Sequence, residues 1–241
     1  RLLCAGSGPV YSLGKAFRSG ERGRKHNPEF TMLEWYQLDY DLDQLIDEVA
    51  ALLANLIDMP APQKCTYQQL FEQYLGLNPH QVSNDQLRAR LSDYIEFDQS
   101  TDDRTELLDM LFGIAIEPQL DAPIAIYDYP ADQAALAKVM PNDQGVMVAK
   151  RFELVYQTME LANGYFELTD AVEQAKRFAN DNQKRGELGL PQLPVDHYLL
   201  EAMAQGMPQC SGVAIGFDRL VMIKVGADCI DDVVAFTLDR M

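Results

Sequence analysis

The stretch that most restricts what this chain can become runs from Arg18 to Tyr36 and reads R-S-G-E-R-G-R-K-H-N-P-E-F-T-M-L-E-W-Y. Its first half is a charged loop with two glycines. Its second half alternates as a half-buried strand does. A period of two puts Phe30, Met32, Glu34 and Tyr36 on one face, and Thr31, Leu33 and Trp35 on the other. A face that begins aromatic and ends in a carboxylate and a phenol is a poor match for a plain apolar core. It suits the floor of a pocket that takes a flat ring at one end and a cation at the other. The loop before it offers Arg18, Arg22, Arg24, Lys25, His26 and Asn27, donors that match an anion such as a polyphosphate. A solvated basic loop leading into an amphipathic strand would account for the same residues, so the rest of the chain has to decide.

With 241 residues, 47% of them apolar, the chain has the size and core of one large domain, or of one domain carrying an insertion. A net charge of −17 gives it no overall attraction to nucleic acid or to an anionic membrane. Any anion must be met by a local basic cluster, and Arg18–Lys25 is the densest. Cys4, Cys65, Cys210 and Cys229 are scattered, as are His26, His80 and His197. That spacing argues for a reducing, cytoplasmic setting and against a zinc site. No apolar run reaches membrane-span length and no signal peptide is visible. Arg1 to Ala5 reads as a strand interior, which leads us to expect further chain upstream. Gly8 to Ala16 has the look of a phosphate-binding loop, but its glycines are one place too far apart and Ala16 lacks the hydroxyl that would hold magnesium.

Taken in order, Gly6–Pro9 reads as a turn and Val10–Phe17 as a strand. Asp41 and Gln44 form a capping-box pair ahead of Leu42, Leu45, Ile46, Val49, Leu52, Leu53 and Leu56, a helix that stops near Met59-Pro60. Residues 66–118 read as several short helices forming an insertion or cover. Pro123–Tyr129 is a strand, and a loop with a short helix follows to Val139.

A second informative stretch is Arg151 to Asp170, R-F-E-L-V-Y-Q-T-M-E-L-A-N-G-Y-F-E-L-T-D. A hairpin turning near Tyr156-Gln157 would set Glu153 directly opposite Glu160. Facing like charges are unfavourable unless a cation lies between them, and two carboxylates with a polyphosphate are a usual setting for Mg²⁺. Two glutamates on a hydrated edge fit the stretch equally well. Beyond them, Asn163, Tyr165 and Glu167 share a face. Asp170 and Glu173 cap a helix running to about Arg185, Leu188–Pro194 is a loop, and Val195–Gln205 is a helix stopped by Gly206 and Pro208. Finally Cys210 to Met222 reads as a short strand, then Gly216, then a helix carrying Arg219. Glycines at 212 and 216 allow a ligand close to the backbone, and Arg219 sits near a helix start, which favours anions.

Together, Phe17–Tyr36, Met159–Asp170 and Gly212–Leu220 resemble the motifs of class II aminoacyl-tRNA synthetases of the lysine branch. The resemblance spans nearly the whole chain and is closest to the ligases that attach (R)-β-lysine to translation elongation factor P. It implies an α+β fold, an antiparallel β-sheet flanked by helices, over residues 1–241, with the helical insertion at about 66–118. It implies an ATP- and Mg²⁺-dependent ligase that forms an aminoacyl adenylate. Arg18 and Arg219 would serve catalysis, and Arg18, Ser19, Gly20, Glu21, Asn27, Phe30, Glu160, Leu161, Gly216 and Arg219 would lie along ATP. Glu34, Tyr36, Asn163, Tyr165, Glu167 and Ala214 would surround lysine or (R)-β-lysine, and Glu153 and Glu160 would hold the metal. A homodimer follows from the same likeness. The sequence departs from the tRNA-charging enzymes at two points: Glu21 lies one place later than their carboxylate, and Ala214 stands where they usually carry glycine. With the chain's acidity, Ala214 favours elongation factor P over tRNA as acceptor. A tRNA-charging domain and an inert synthetase-like binding protein are the alternatives.

Overall fold

The computed structural model describes residues 1–237. One mainly antiparallel sheet organises them. Strands β1 (Val10–Phe17), β2 (Glu29–Leu38), β3 (Gln63–Thr66), β4 (Ile124–Pro130), β5 (Val139–Pro141), β6 (Met147–Tyr156), β7 (Met159–Phe166) and β8 (Cys210–Gly216) lie in the order β1-β2-β8-β7-β6-β4-β3, with β5 beside β6. Among the described residues, only β3 and β4 pair in parallel. The central position of β8 brings the last motif of the chain between the two earlier ones.

Helix α1 (Leu42–Ile57) covers one face of this sheet. Asp41 accepts the Gln44 N–H, Gln44 reaches back to the Asp41 N–H, and the helix ends on Asp58 in the left-handed region. Leu45, Ile46, Val49 and Leu53, spaced three and four apart, pack on Phe152, Leu154, Ala162, Val213 and Ile215. Leu56, expected in that stripe, is exposed. The Trp35 indole and the Gln37 amide both donate to Glu48 (3.0 and 2.7 Å), which locks β2 to the helix. Truncating Val49 or Leu53 to alanine would leave a hole at the centre of this contact and cost roughly 1–5 kcal/mol.

The short helices between β3 and β4 are α2 (Tyr67–Leu75), α3 (Asn84–Ser92) and α4 (Arg104–Leu111), with capping boxes at Thr66 and Ser83. Beyond α4 the winding loosens into one π-helical turn, Phe112–Ile116. They close a second apolar cluster, with Phe71, Leu87, Leu91, Leu107, Leu108 and Leu111 packed over Ile124 and Ile126. Helices α5 (Ala171–Glu187) and α6 (His197–Gly206) follow β7, and α7 (Phe217–Val225) follows β8. Asp170 caps α5 by accepting the Val172 and Glu173 N–H groups, while the Glu173 carboxylate turns to Arg177 instead of back to the cap. Helix α6 starts two residues later than its sequence suggests, because Asp196 takes the Leu199 N–H.

Two expectations are overturned. Residues 1–5 are not a strand: the Ala5 N–H bonds back to the carbonyls of Arg1 and Leu2, both at 3.0 Å, so this segment turns locally and tucks Leu3 inward. Nor do Glu153 and Glu160 face each other. The hairpin turns one residue later, on Gln157 and Thr158, both at positive φ as a two-residue turn between twisted strands requires. Leu154 then pairs with Ala162 and Val155 with Glu160, leaving Leu161 as an unpaired bulge residue; Glu153 lies opposite Asn163. The bulge has a consequence for function. Strict alternation would put Glu160 with Ala162 and Phe166, in the core beneath α1. The extra residue turns it to the face of Asn163 and Tyr165.

Candidate active site

The sheet face away from α1 carries the predicted residues in register. On β8, Ala214 has Glu34 of β2 on one side and Asn163 of β7 on the other. Gly212 lies between Tyr36 and Tyr165, and Gly216 beside Met32. The absent side chain at Gly212 is essential: a Cβ there would stand 2.5 Å from Tyr36 ring carbons and 2.6 Å from a Glu167 oxygen.

A cavity of about 330 Å³ opens over this face. Arg18, Glu21, Asn27, Phe30, Glu160, Leu161, Asn163, Tyr165, Ala214, Gly216 and Arg219 all line it, so three segments far apart in sequence meet there. Ser19 and Gly20 sit exposed on the loop and do not line it. Glu34 continues the face past Ala214, and Tyr36 and Glu167 open on an adjoining, mainly apolar hollow with Leu3, Leu199 and Met203. Glu153 lies one strand further out, beside Asn163, and is not part of the cavity wall.

One end of the cavity is cationic. The Arg18 guanidinium lies 5.4 Å from the Phe30 ring centre and 3.6 Å from Glu21. Arg219 donates to the Glu160 carbonyl (2.6 Å) and meets His26 Nε2 at 2.7 Å. Burial, then the charge of Arg219, pushes the His26 pKa down, so the imidazole is neutral and accepts from the guanidinium. Lys25 reaches across to the hairpin turn and donates to the Thr158 carbonyl (2.7 Å) and hydroxyl (3.2 Å). The buried Asn27 amide donates to the Glu29 carbonyl at 2.6 Å, which fixes the junction of loop and strand. Gly216, which lines the cavity, is the N-cap of α7 and leaves the first backbone N–H groups of that helix without a side-chain cap.

The other end carries carboxyls and phenols. Burial pushes the Glu167 carboxyl up to about 8, and burial with the nearby Glu167 and Glu34 charges pushes the Tyr36 phenol up to about 12. Burial also raises the Tyr165 phenol. Between the two ends, burial first and Glu153 second push Glu160 up to about 7. Such groups fit a bound cation, which would offset both causes. Among the described residues no cluster of three or more His, Cys, Asp or Glu side chains could hold a metal alone. A hard divalent cation here would therefore need most of its oxygens from phosphate or water, as Mg²⁺ commonly does.

Comparison with known proteins decides the family. Residues 1–240 match the model of class II tRNA synthetases (D, K and N). The chain belongs to that family. Proteins named elongation factor P–(R)-β-lysine ligase from Salmonella arizonae and Salmonella dublin are each 48% identical over 244 aligned residues, covering all of this chain and 74% of each relative. The expected class II fold, an antiparallel sheet flanked by helices, is the one observed.

Several residues of this class II site escaped the sequence reading. Asp218, buried, accepts the Thr31 N–H at 2.6 Å and pins α7 to β2; it lay inside the quoted G-F-D-R segment but carried no periodic signal. Thr31 itself, assigned to the far face, lines the cavity. Ile230, from the tail beyond α7, closes one side. Glu117, just past the π-turn, is raised by burial while Lys25 and Arg219 pull it down, which puts it within reach of the cationic end. Nothing local in residues 112–119 marks that placement.

Proposed function

We propose that this class II protein uses ATP and Mg²⁺ to activate (R)-β-lysine, or lysine, as an adenylate and transfers it to a lysine of translation elongation factor P. One observation carries the reading: on a single sheet face, a cationic end built from Arg18, Lys25 and Arg219 adjoins a carboxylate and phenol end built from Glu34, Tyr36, Tyr165 and Glu167, with Ala214 between them. Joining a nucleotide phosphate to an amino acid that carries a second ammonium calls for that juxtaposition. The name borne by relatives identical at 48% over the whole chain supports the same substrate and acceptor.

In this reading the adenine stacks on Phe30, and Glu21, Asn27, Leu161 and Gly216 lie along the nucleotide with Ser19 and Gly20 at the loop's outer edge. Glu160 and Glu153 would hold Mg²⁺, which when bound would offset phosphate charge. Arg18 neutralises the α-phosphate as the amino-acid carboxylate attacks phosphorus and pyrophosphate leaves. Arg219 meets the distal phosphate or the ring. Glu34, Tyr36, Asn163, Tyr165 and Glu167 orient the amino acid. The acceptor amine then attacks the activated carbonyl and AMP departs. No side-chain nucleophile is required; alignment and charge neutralisation lower the barrier.

A protein acceptor suits the charge balance. A tRNA presents a long row of phosphates, whereas this chain carries −17 and its dense basic cluster is engaged at the nucleotide end. We further propose a homodimer in the cytoplasm; among the described residues no helix is long and apolar enough to cross a membrane. The test is ATP–pyrophosphate exchange with α- and β-lysine, followed by label transfer to elongation factor P or to tRNA. Exchange without labelling of the factor, together with efficient tRNA charging, would replace this reading by lysyl-tRNA synthesis. No exchange with either amino acid would mark an inert binding protein. Sedimentation as a monomer at micromolar concentration would remove the dimer.

A further inference from the structure

Behind the wall of the site lies a polar cluster whose central residue the proposed chemistry does not use. Arg151 of β6 is at its centre, with its side chain 13% exposed. One guanidinium nitrogen donates to the Glu153 carboxylate, and the other donates to the Gln133 carbonyl at 3.2 Å. The Gln133 amide in turn donates to Asp109 of α4 at 2.7 Å. The guanidinium plane is bracketed by the rings of Tyr129 (4.5 Å) and Tyr165 (5.8 Å). A continuous path thus runs from the helical segment, through Gln133 and Arg151, to one proposed metal carboxylate and one proposed substrate phenol.

This cluster is an expensive way to fill space. Arg151 Nε, Tyr67 Oη, Tyr129 Oη and Gln133 Oε1 are all buried without a well-formed hydrogen bond, and each such group costs stability. Apolar residues of similar volume would serve stability better. What the arginine supplies is a fixed fork and a positive charge. The titratable groups around Glu153 are Glu160 and Tyr165 on β7, Tyr129 on β4, Asp109 on α4 and Tyr67 on α2, with Glu117 just beyond α4. All are acids. Burial, then Glu153, pushes Asp109 up to about 6, and Arg151 counters it. Arg219 and Arg18 stand on the far side, toward Glu160.

We propose that Arg151 is a positioning residue for adenylation: its guanidinium holds the Glu153 carboxylate in the orientation that metal binding would need, and Gln133 with Asp109 anchors that guanidinium to the helical segment. The proposal rests on the reading of Glu153 as a metal carboxylate. A lysine cannot replace the fork, because a single ammonium does not present two parallel donors in a plane.

The test is Mn²⁺ binding to the enzyme with ATP and no amino acid, followed by the paramagnetic signal of free Mn²⁺, beside the binding of ATP without metal. Arg151→Met should weaken Mn²⁺ binding about ten-fold while ATP binding without metal stays within about two-fold. Arg151→Lys should lose Mn²⁺ affinity at least about three-fold. Wild-type Mn²⁺ affinity in Arg151→Met, or an equal loss of metal-free ATP binding, overturns the proposal. Should that variant fail to fold, Arg151→Lys decides alone, and wild-type affinity in it is the overturning result. Glu153→Gln separates the two layers of argument: undiminished Mn²⁺ binding in it removes the metal reading itself, whereas weakened binding there with unaffected Arg151 variants removes only the positioning role.

Discussion

The carboxyl and phenol end of the site makes a quantitative prediction about pH. Glu167 is buried and its carboxyl is pushed up to about 8. A ligand ammonium set beside it favours the ionised form, so binding must release a proton wherever the free carboxyl is protonated. At pH 6 about one Glu167 in a hundred is ionised, and at pH 8 about half, so the Kd for lysine should fall about fifty-fold across that interval. The side-chain ammonium of lysine stays charged to about pH 10 and adds no slope of its own. Isothermal titration without ATP or Mg²⁺, in two buffers of different ionisation heat, would read both the Kd and the proton released. The slope should vanish in Glu167→Gln and persist in Glu160→Gln, because Glu160, pushed up to about 7, lies toward the nucleotide end. A flat Kd, or an undiminished slope in Glu167→Gln, would refute the reasoning. The stability sign runs the other way. A carboxyl whose folded pKa lies above its ordinary value of 4.5 costs stability increasingly as pH rises from about 4.5 to about 8. That cost grows by about 1.4 kcal/mol for each pH unit crossed and reaches several kcal/mol. Glu167→Gln should therefore melt higher than the wild type at pH 9, while binding lysine worse.

Glu160→Gln should abolish ATP–pyrophosphate exchange at ordinary Mg²⁺ yet melt no lower than the wild type at pH 8, since it removes a carboxyl raised by burial; full exchange activity would remove the metal assignment. Ala214→Gly should loosen discrimination against α-lysine by roughly 1–3 kcal/mol in kcat/KM, because its methyl stands between Glu34 and Asn163; an unchanged ratio would place selection elsewhere. Gly212→Ala should raise the KM for the amino acid at least ten-fold, through displacement of Tyr36 and Glu167, while ATP binding measured alone stays within two-fold; a wild-type KM would show that the strand yields without moving them.

The alternation of Phe30 to Tyr36 and the capping box with its apolar stripe at Asp41–Leu53 are local codes: strand and helix periods write themselves into neighbouring residues. Strand β2, helix α1 and the β8–Gly216–α7 passage with Arg219 were therefore legible in the sequence, and so was the family, whose motifs each lie within one short segment. Other features depend on which chain segments meet, and no local period records that. Leu2, Leu3 and Cys4 look like a strand, but they turn back on themselves through local backbone bonds. Two facing glutamates were inferred from counting across a hairpin, and counting fails once the turn lies one residue later and a bulge residue follows it. Leu161 takes that place because the left-handed turn at Gln157-Thr158 and the packing under α1 favour burying Leu161 and Ala162 together. The same bulge delivers Glu160 to the site. The path from Asp109 through Gln133 and Arg151 to Glu153 joins residues up to 44 positions apart, in helix, loop and strand, and only tertiary packing brings them into one charged cluster.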